Sequence, residues 1–183
     1  MNEIDIAAIV LGKIKELEGI DLNGRNLSGA DLSGANLRGA SLRANLRGAN
    51  LNGADLRGAD FRNADLRGAT LLESQTERIS LAGAFLSGAI LTRLDLDGVD
   101  LRGADLRGCT MISVKLAQAD LRSANLSGAD LSYADLEEAD LTNTILRGAN
   151  LTGVNLLCAQ LEAAIVNGIV TENICLEGTP LKL

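Results

Sequence analysis

The most restrictive feature of this chain is a period of five. Large apolar residues recur at Leu22, Leu27, Leu32, Leu37 and Leu42, then after one four-residue step at Leu46, Leu51, Leu56, Phe61, Leu66 and Leu71. The same frame runs to Leu181, and only Thr76 and Thr171 put a polar group at such a centre. A period of five is neither 3.6 nor 2, so neither a long helix nor a long alternating strand keeps these leucines on one side. A path that turns once per unit does. The centre and the small residue two before it then point inward, and the other three positions face water. The glycines fit this geometry, because nearly all of those after Gly19 fall two residues after a centre, where a corner requires positive φ. Asn63, Asn143 and Asn173 take the same position, and asparagine tolerates that conformation next best.

Written out, the unit is A-(D/N)-L-x-x, nearly uninterrupted from Ala30 to Leu71 and from Leu96 to Leu151. In this number of tandem copies the chain resembles the pentapeptide-repeat family. The resemblance covers about nine-tenths of the chain and implies an all-β solenoid, a right-handed quadrilateral parallel β-helix with four units per coil. About thirty-three units give roughly eight coils and, at about 4.8 Å per coil, a rod about 40 Å long. A leucine-rich repeat would need a period of twenty or more, and no such spacing is present.

Residues 1–19 read differently. Ile6, Val10, Ile14 and Leu17 recur at spacings of three and four, with Lys13, Lys15, Glu16 and Glu18 between them, which predicts one short amphipathic helix stopped by Gly19. That helix reads as a cap over the first coil, with the solenoid occupying 20–183.

Composition narrows the function. The chain has no histidine, which removes the commonest general base and metal ligand. Its three cysteines, Cys109, Cys158 and Cys175, form no C-x-x-C pair and are odd in number, so free thiols and a cytoplasmic location are expected. Cys109 falls at an inward position and reads as a small core residue. Glu3 and Asp5 replace the positive flank of a leader, and the Ile6 to Leu11 run is too short to span a bilayer. No cofactor, metal or phosphate-binding motif is present.

The repeat breaks in three places. Between Leu42 and Leu46 one residue is missing, which predicts a kink or a tightened turn. At Glu73, Ser74, Gln75, Thr76, Glu77 and Arg78 both inward positions are hydroxylated. Either these hydroxyls bond to backbone or the segment bulges outward as a candidate contact loop. At the end the units degenerate and no capping helix follows, so Pro180 and Lys182 are expected to block a bare edge unless a second copy covers it.

Residues twenty apart stack, so the outward surface is legible as columns. Arg47, Arg67, Arg107 and Arg147 share one column, and Asp100, Asp120 and Asp140 stack in another, offset by Arg102 and Arg122. Acidic residues dominate 130–183, whereas 21–69 carries more arginine than acid. Phe85, Ile145, Leu157, Ile165 and Val170 are outward and apolar, and form a candidate surface for self-association or for another protein. The family resemblance most broadly implies a non-enzymatic scaffold or regulatory protein acting through protein–protein contact, and the absence of a catalytic motif fits it. Family resemblance also raises a gyrase-binding DNA mimic of the fluoroquinolone-resistance type, against which stand the arginine-rich early coils, the almost exclusively leucine centres and the lack of a terminal dimerising helix. Direct nucleic-acid binding is disfavoured by the net charge of −7 and the scarcity of aromatic residues for stacking.

Overall fold

The computed structural model describes residues 5–179. Pro180, Leu181 and Lys182 lie outside them. The chain winds into a four-sided parallel β-helix in which each side pairs with the next coil at a single residue, the one before each centre. Four such columns rise through the rod, beginning at Glu16, Asp21, Asn26 and Asp31, and are called here the first to fourth faces. Successive members are twenty residues apart, or nineteen where a pair spans the missing residue.

One unit shows why the sequence takes this path. Asp55 N–H donates back to Ala35 O at 2.9 Å, while Leu56 N–H and Gly58 N–H donate forward to Gln75 O and Glu77 O at 2.8 and 2.9 Å. Ala59 N–H closes the corner onto Leu56 O at 2.9 Å. That leaves the Arg57 amide, which donates to the Asp55 carboxylate at 3.3 Å. All five donors of the unit are satisfied, and the Asp or Asn before the centre is the residue that completes the set. Between them, leucine centres and alanines fill the interior with almost no exposure from Leu22 to Leu156.

The corner has the form of a type II turn and places its third residue at positive φ. Asparagine is not the main substitute for glycine there: Glu73, Arg78, Arg93, Ser113, Gln118, Ser123, Tyr133, Glu138, Cys158 and Ala163 adopt the same conformation. A side chain in that region costs about 1 kcal/mol, which the surrounding ladder and core outweigh. The missing residue produces the tightened turn, with Ala44 N–H donating to Leu42 O at 2.7 Å. The ladder continues through it, since Gly24 N–H still finds Arg43 O at 2.9 Å.

The N-terminal helix is shorter than its pattern suggests. α1 spans Ile6–Val10, capped by the Asp5 carboxylate on Ala8 N–H at 2.9 Å. Gly12 turns the chain at φ 68°, where a Cβ would lie 2.8 Å from Asp31 O. Leu17 is then already a buried centre, Glu16 pairs with Asn36, and Gly19 is the first glycine corner of the coils rather than a helix stop. Over so short a stretch, inward positions of a five-residue frame imitate helical spacing. α1 packs Ile9 onto the first coil, and Val10 O accepts from Asp31 N–H at 3.0 Å.

Each coil leans only on its neighbours, so a core truncation is felt locally but in full. Leu66→Ala, at a centre with no exposure, is expected to lower unfolding free energy by about 2–5 kcal/mol, measured by denaturant titration.

Candidate interaction surfaces

The segment from Glu73 to Arg78 stays in the frame. Gln75 pairs with Asp55, and the two inward hydroxyls bond to backbone: Ser74 Oγ to Leu71 O at 2.7 Å and Thr76 Oγ1 to Asp95 O. On its other edge, however, the ladder parts. Gln75 and Asp95 are the one stacked pair in the four columns, among the described residues, that is not bridged. Thr76 N–H, Arg78 N–H, Asp95 N–H and Asp100 N–H make none of the inter-coil backbone bonds their counterparts make elsewhere.

Core volume explains the opening. Ile79, Leu94 and Val99 occupy inward positions that alanine fills in most units, and Ile79 sits directly beneath Val99. These larger side chains wedge the coils apart while Thr76, smaller than leucine, pulls nothing together. A cleft of about 270 Å³ results, lined by Thr76 to Ile79 and by Asp95 to Val99. Beside it lies a shallower hollow of about 370 Å³ between Arg38, Arg57, Gly58, Glu77 and Arg78. The wedge is legible in the sequence as large residues at positions that alanine fills elsewhere.

Outward charges sort by position along the rod. In each Asp-x-Arg unit the guanidinium folds back onto its own aspartate through two bonds: Arg62 to Asp60 at 2.9 and 2.8 Å, Arg102 to Asp100 at 2.9 and 2.8 Å, Arg107 to Asp105 at 2.8 and 2.7 Å. Arg57, Arg67 and Arg122 make the same fork on Asp55, Asp65 and Asp120. Asp60 also receives Arg43 at 2.7 Å, so two guanidiniums share it. The arginine hydrogen bonds hold these six carboxyls below the ordinary carboxylate range, against a smaller opposing effect of burial. Past Arg122 the forks stop. Asp135, Glu137, Glu138, Glu162 and Glu177 have no guanidinium or ammonium partner within ion-pair distance among the described residues.

The apolar residues singled out from the sequence do not form one patch. Ile145 and Ile165 are bridged neighbours on the third face, both half-buried. Phe85 is on the same face but separated from them by Asp105 and Asn125, and is 47% exposed. Leu157 lies on the opposite, first face and Val170 on the fourth. At the C-terminal end the inward residues Val166, Ile169, Ile174 and Leu176 are only partly covered. Tyr133, which the sequence reading passed over, is the most exposed of the large hydrophobic side chains at 65% and holds a φ of 59°. Cys109 is buried with its thiol donating to Leu86 O at 2.9 Å, and burial pushes its pKa up to about 12, while Cys158 and Cys175 are exposed.

The comparisons with known proteins agree with this architecture. A family model described as pentapeptide repeats matches in eight copies, over residues 16–44, 43–74, 77–108, 109–148 and 129–168. The chain therefore belongs to the pentapeptide-repeat family, whose members form right-handed β-helices. Among solved structures it is similar to a trypsin-treated variant of QnrB1, a plasmid-mediated fluoroquinolone resistance protein, at 19% identity and a TM-score of 0.69, covering 87% of this chain and 85% of that one. It is also similar to HetL, a pentapeptide repeat protein involved in heterocyst differentiation regulation from the cyanobacterium Nostoc sp. strain PCC 7120, at 30% identity and a TM-score of 0.40, covering 98% and 96%. No curated protein matches. No helix of the described residues is long and apolar enough to cross a membrane.

Two outcomes follow from the seam and the forks. In hydrogen exchange, the amides of Thr76, Arg78, Asp95 and Asp100 are expected to exchange faster than their counterparts one coil away, Leu56, Gly58, Lys115 and Asp120. For pH, a carboxyl lowered in the folded state adds stability that is complete above the unfolded value of about 4 and is lost as pH falls through the folded value. Unfolding free energy is thus expected to stay level from pH 7 to about 5 and to decline below about 4. Arg62→Gln should make that acid limb shallower in equilibrium unfolding measured across the range.

Proposed function

We propose that this protein is a non-catalytic scaffold that binds another protein through the carboxylates of its C-terminal third. The observation that carries the reading is where the arginine forks end. From Asp55 to Asp120 most outward aspartates on the first three faces are neutralised within their own unit, whereas Asp135, Glu137, Glu138, Glu162 and Glu177 keep their charge, the first three accepting only neutral amide donors. A rigid lattice holds these charges at fixed spacing, which favours a partner with a matching basic surface. Family membership supports the same class, since pentapeptide-repeat proteins are generally interaction proteins and not catalysts.

A second reading, a DNA mimic that binds gyrase, is favoured by the net charge of −7 on a rod whose fold is that of a fluoroquinolone resistance protein. Against it stands the same pattern of forks. A mimic of duplex DNA needs unpaired negative charge along its length, and here the middle coils are internally neutralised.

Affinity capture with the wild type and a Glu137→Lys, Glu138→Lys variant tests the first reading. Partners retained by the wild type at low salt are expected to be lost with the variant and with rising salt. An unchanged set of partners overturns it. Protection of DNA gyrase from a quinolone in a supercoiling assay would instead establish the second.

A further inference from the structure

The fourth face differs from the other three. Between its corners, from Asn50 to Val170, its outward residues are Asn, Thr, Leu, Ile and Ser with Asp130 the one charged group, while Glu73 and Arg93 stand exposed on its far corner without an ion-pair partner among the described residues. It carries no arginine fork. Leu72, Ile90, Thr92, Thr110 and Ile112 run along its middle, half-buried only by one another.

Toward its two ends its polar side chains bond to one another or to backbone. The Asp130 carboxylate accepts from Ser132 N–H at 3.1 Å, from the Ser132 hydroxyl at 2.6 Å and from Asn150 Nδ2 at 3.1 Å. Asn150 Oδ1 accepts the Thr152 amide and hydroxyl at 3.1 and 2.7 Å, and Asn52 Oδ1 accepts Leu72 N–H at 2.9 Å. Covering this face from Asn50 to Val170 therefore desolvates no ion pair, whereas covering the others would desolvate several.

Both edges of the face are shaped for close approach. The corner leading into it is glycine in every coil from Gly29 to Gly168, although side chains are tolerated at the equivalent φ on the other corners. From Gly29 to Gly148 a Cβ there would meet nothing within 4 Å, so the uniform glycine leaves the edge bare without relieving any contact inside this chain. On the far edge Tyr133 lays its ring across Gly153, where a Cβ would lie 2.6 Å from Cδ1. An aromatic side chain with an unfavourable backbone conformation, exposed at the edge of a surface without ion pairs, has the character of an interface anchor.

The geometry points to a second copy of this chain as the occupant, packed antiparallel across the fourth face about a two-fold axis between the Ile90 and Thr110 coils. A surface ridged every 4.8 Å or so is matched best by another solenoid of the same pitch. About that axis the face is self-complementary. Ile90 meets the partner's Thr110, Thr92 meets the partner's Ile112, and Leu72 meets the partner's Ser132, while on the far edge Tyr133 meets the partner's Glu73 and Arg93 meets the partner's Ser113. The amide-bearing ends at Asn50 and Asn150 meet each other. Area suffices as well: one face of a four-sided rod exposing 8550 Å² holds on the order of 1,500–2,000 Å², and half of that reaches the ~800 Å² per partner of a stable interface.

Light scattering on the wild type, an Ile90→Lys, Ile112→Lys variant, a milder Thr92→Arg variant and an Ile145→Lys, Ile165→Lys control decides the matter. All these residues point outward, and circular dichroism checks that each variant folds. The wild type is expected at twice the 19.1 kDa chain mass, both fourth-face variants at the single mass, and the third-face control at the doubled mass. A wild type of single mass at the highest soluble concentration overturns the proposal. So does a dimer that persists in both fourth-face variants, or one lost only in the control.

Discussion

Everything in this structure depends on satisfying the backbone amides of each five-residue unit between stacked coils. A coil of four short sides has no long strand to share the load, so its amides find acceptors in the coil above, the coil below, the corner or a side chain. Where Asp or Asn precedes the centre, its side chain accepts the amide that the ladder cannot reach, as Asp55 does for Arg57, which gives that position a structural reason to recur. Once the requirement is met, stacking is almost indifferent to what stands on the surface. Arginine, tyrosine, glutamate or cysteine can occupy a corner at positive φ because the ladder and the leucine core fix the turn around them.

That indifference frees the outer positions to differentiate. On three faces they form aspartate–arginine forks that neutralise the rod from within; the fourth has no such fork; toward the C-terminal end the forks cease and carboxylates keep their charge. The scaffold reading and the dimer reading use different parts of this division. The carboxylates lie mainly on the first and second faces, so two copies joined through their fourth faces would leave both acidic ends open.

The seam between the Gln75 and Asp95 coils shows what happens when one level of the pattern is violated. Threonine at a centre and isoleucine, leucine and valine at positions sized for alanine do not stop the coil from closing. They shift the wall outward until inter-coil bonds are lost along one side and a cleft appears. A solenoid localises the damage, because each coil answers only to its neighbours. The coils on either side keep full ladders.

Period, corner positions, face assignment and the direction of the inward residues were all determined by the sequence alone, because a strict repeat converts position in the chain directly into position on a four-sided rod. Tertiary structure decided the rest. α1 ends at Val10 and Leu17 joins the core, since helical and five-residue spacing cannot be told apart over so few residues. Ser74 and Thr76 turn their hydroxyls to backbone instead of bulging outward, which depends on acceptors at Leu71 and Asp95 that only stacking supplies. Ile145 and Ile165 meet while Leu157 and Val170 are carried to other faces, because the chain turns a corner every five residues. Which arginine pairs with which aspartate is a property of side chains in contact, and a column of letters fixes their neighbours without fixing their bonds.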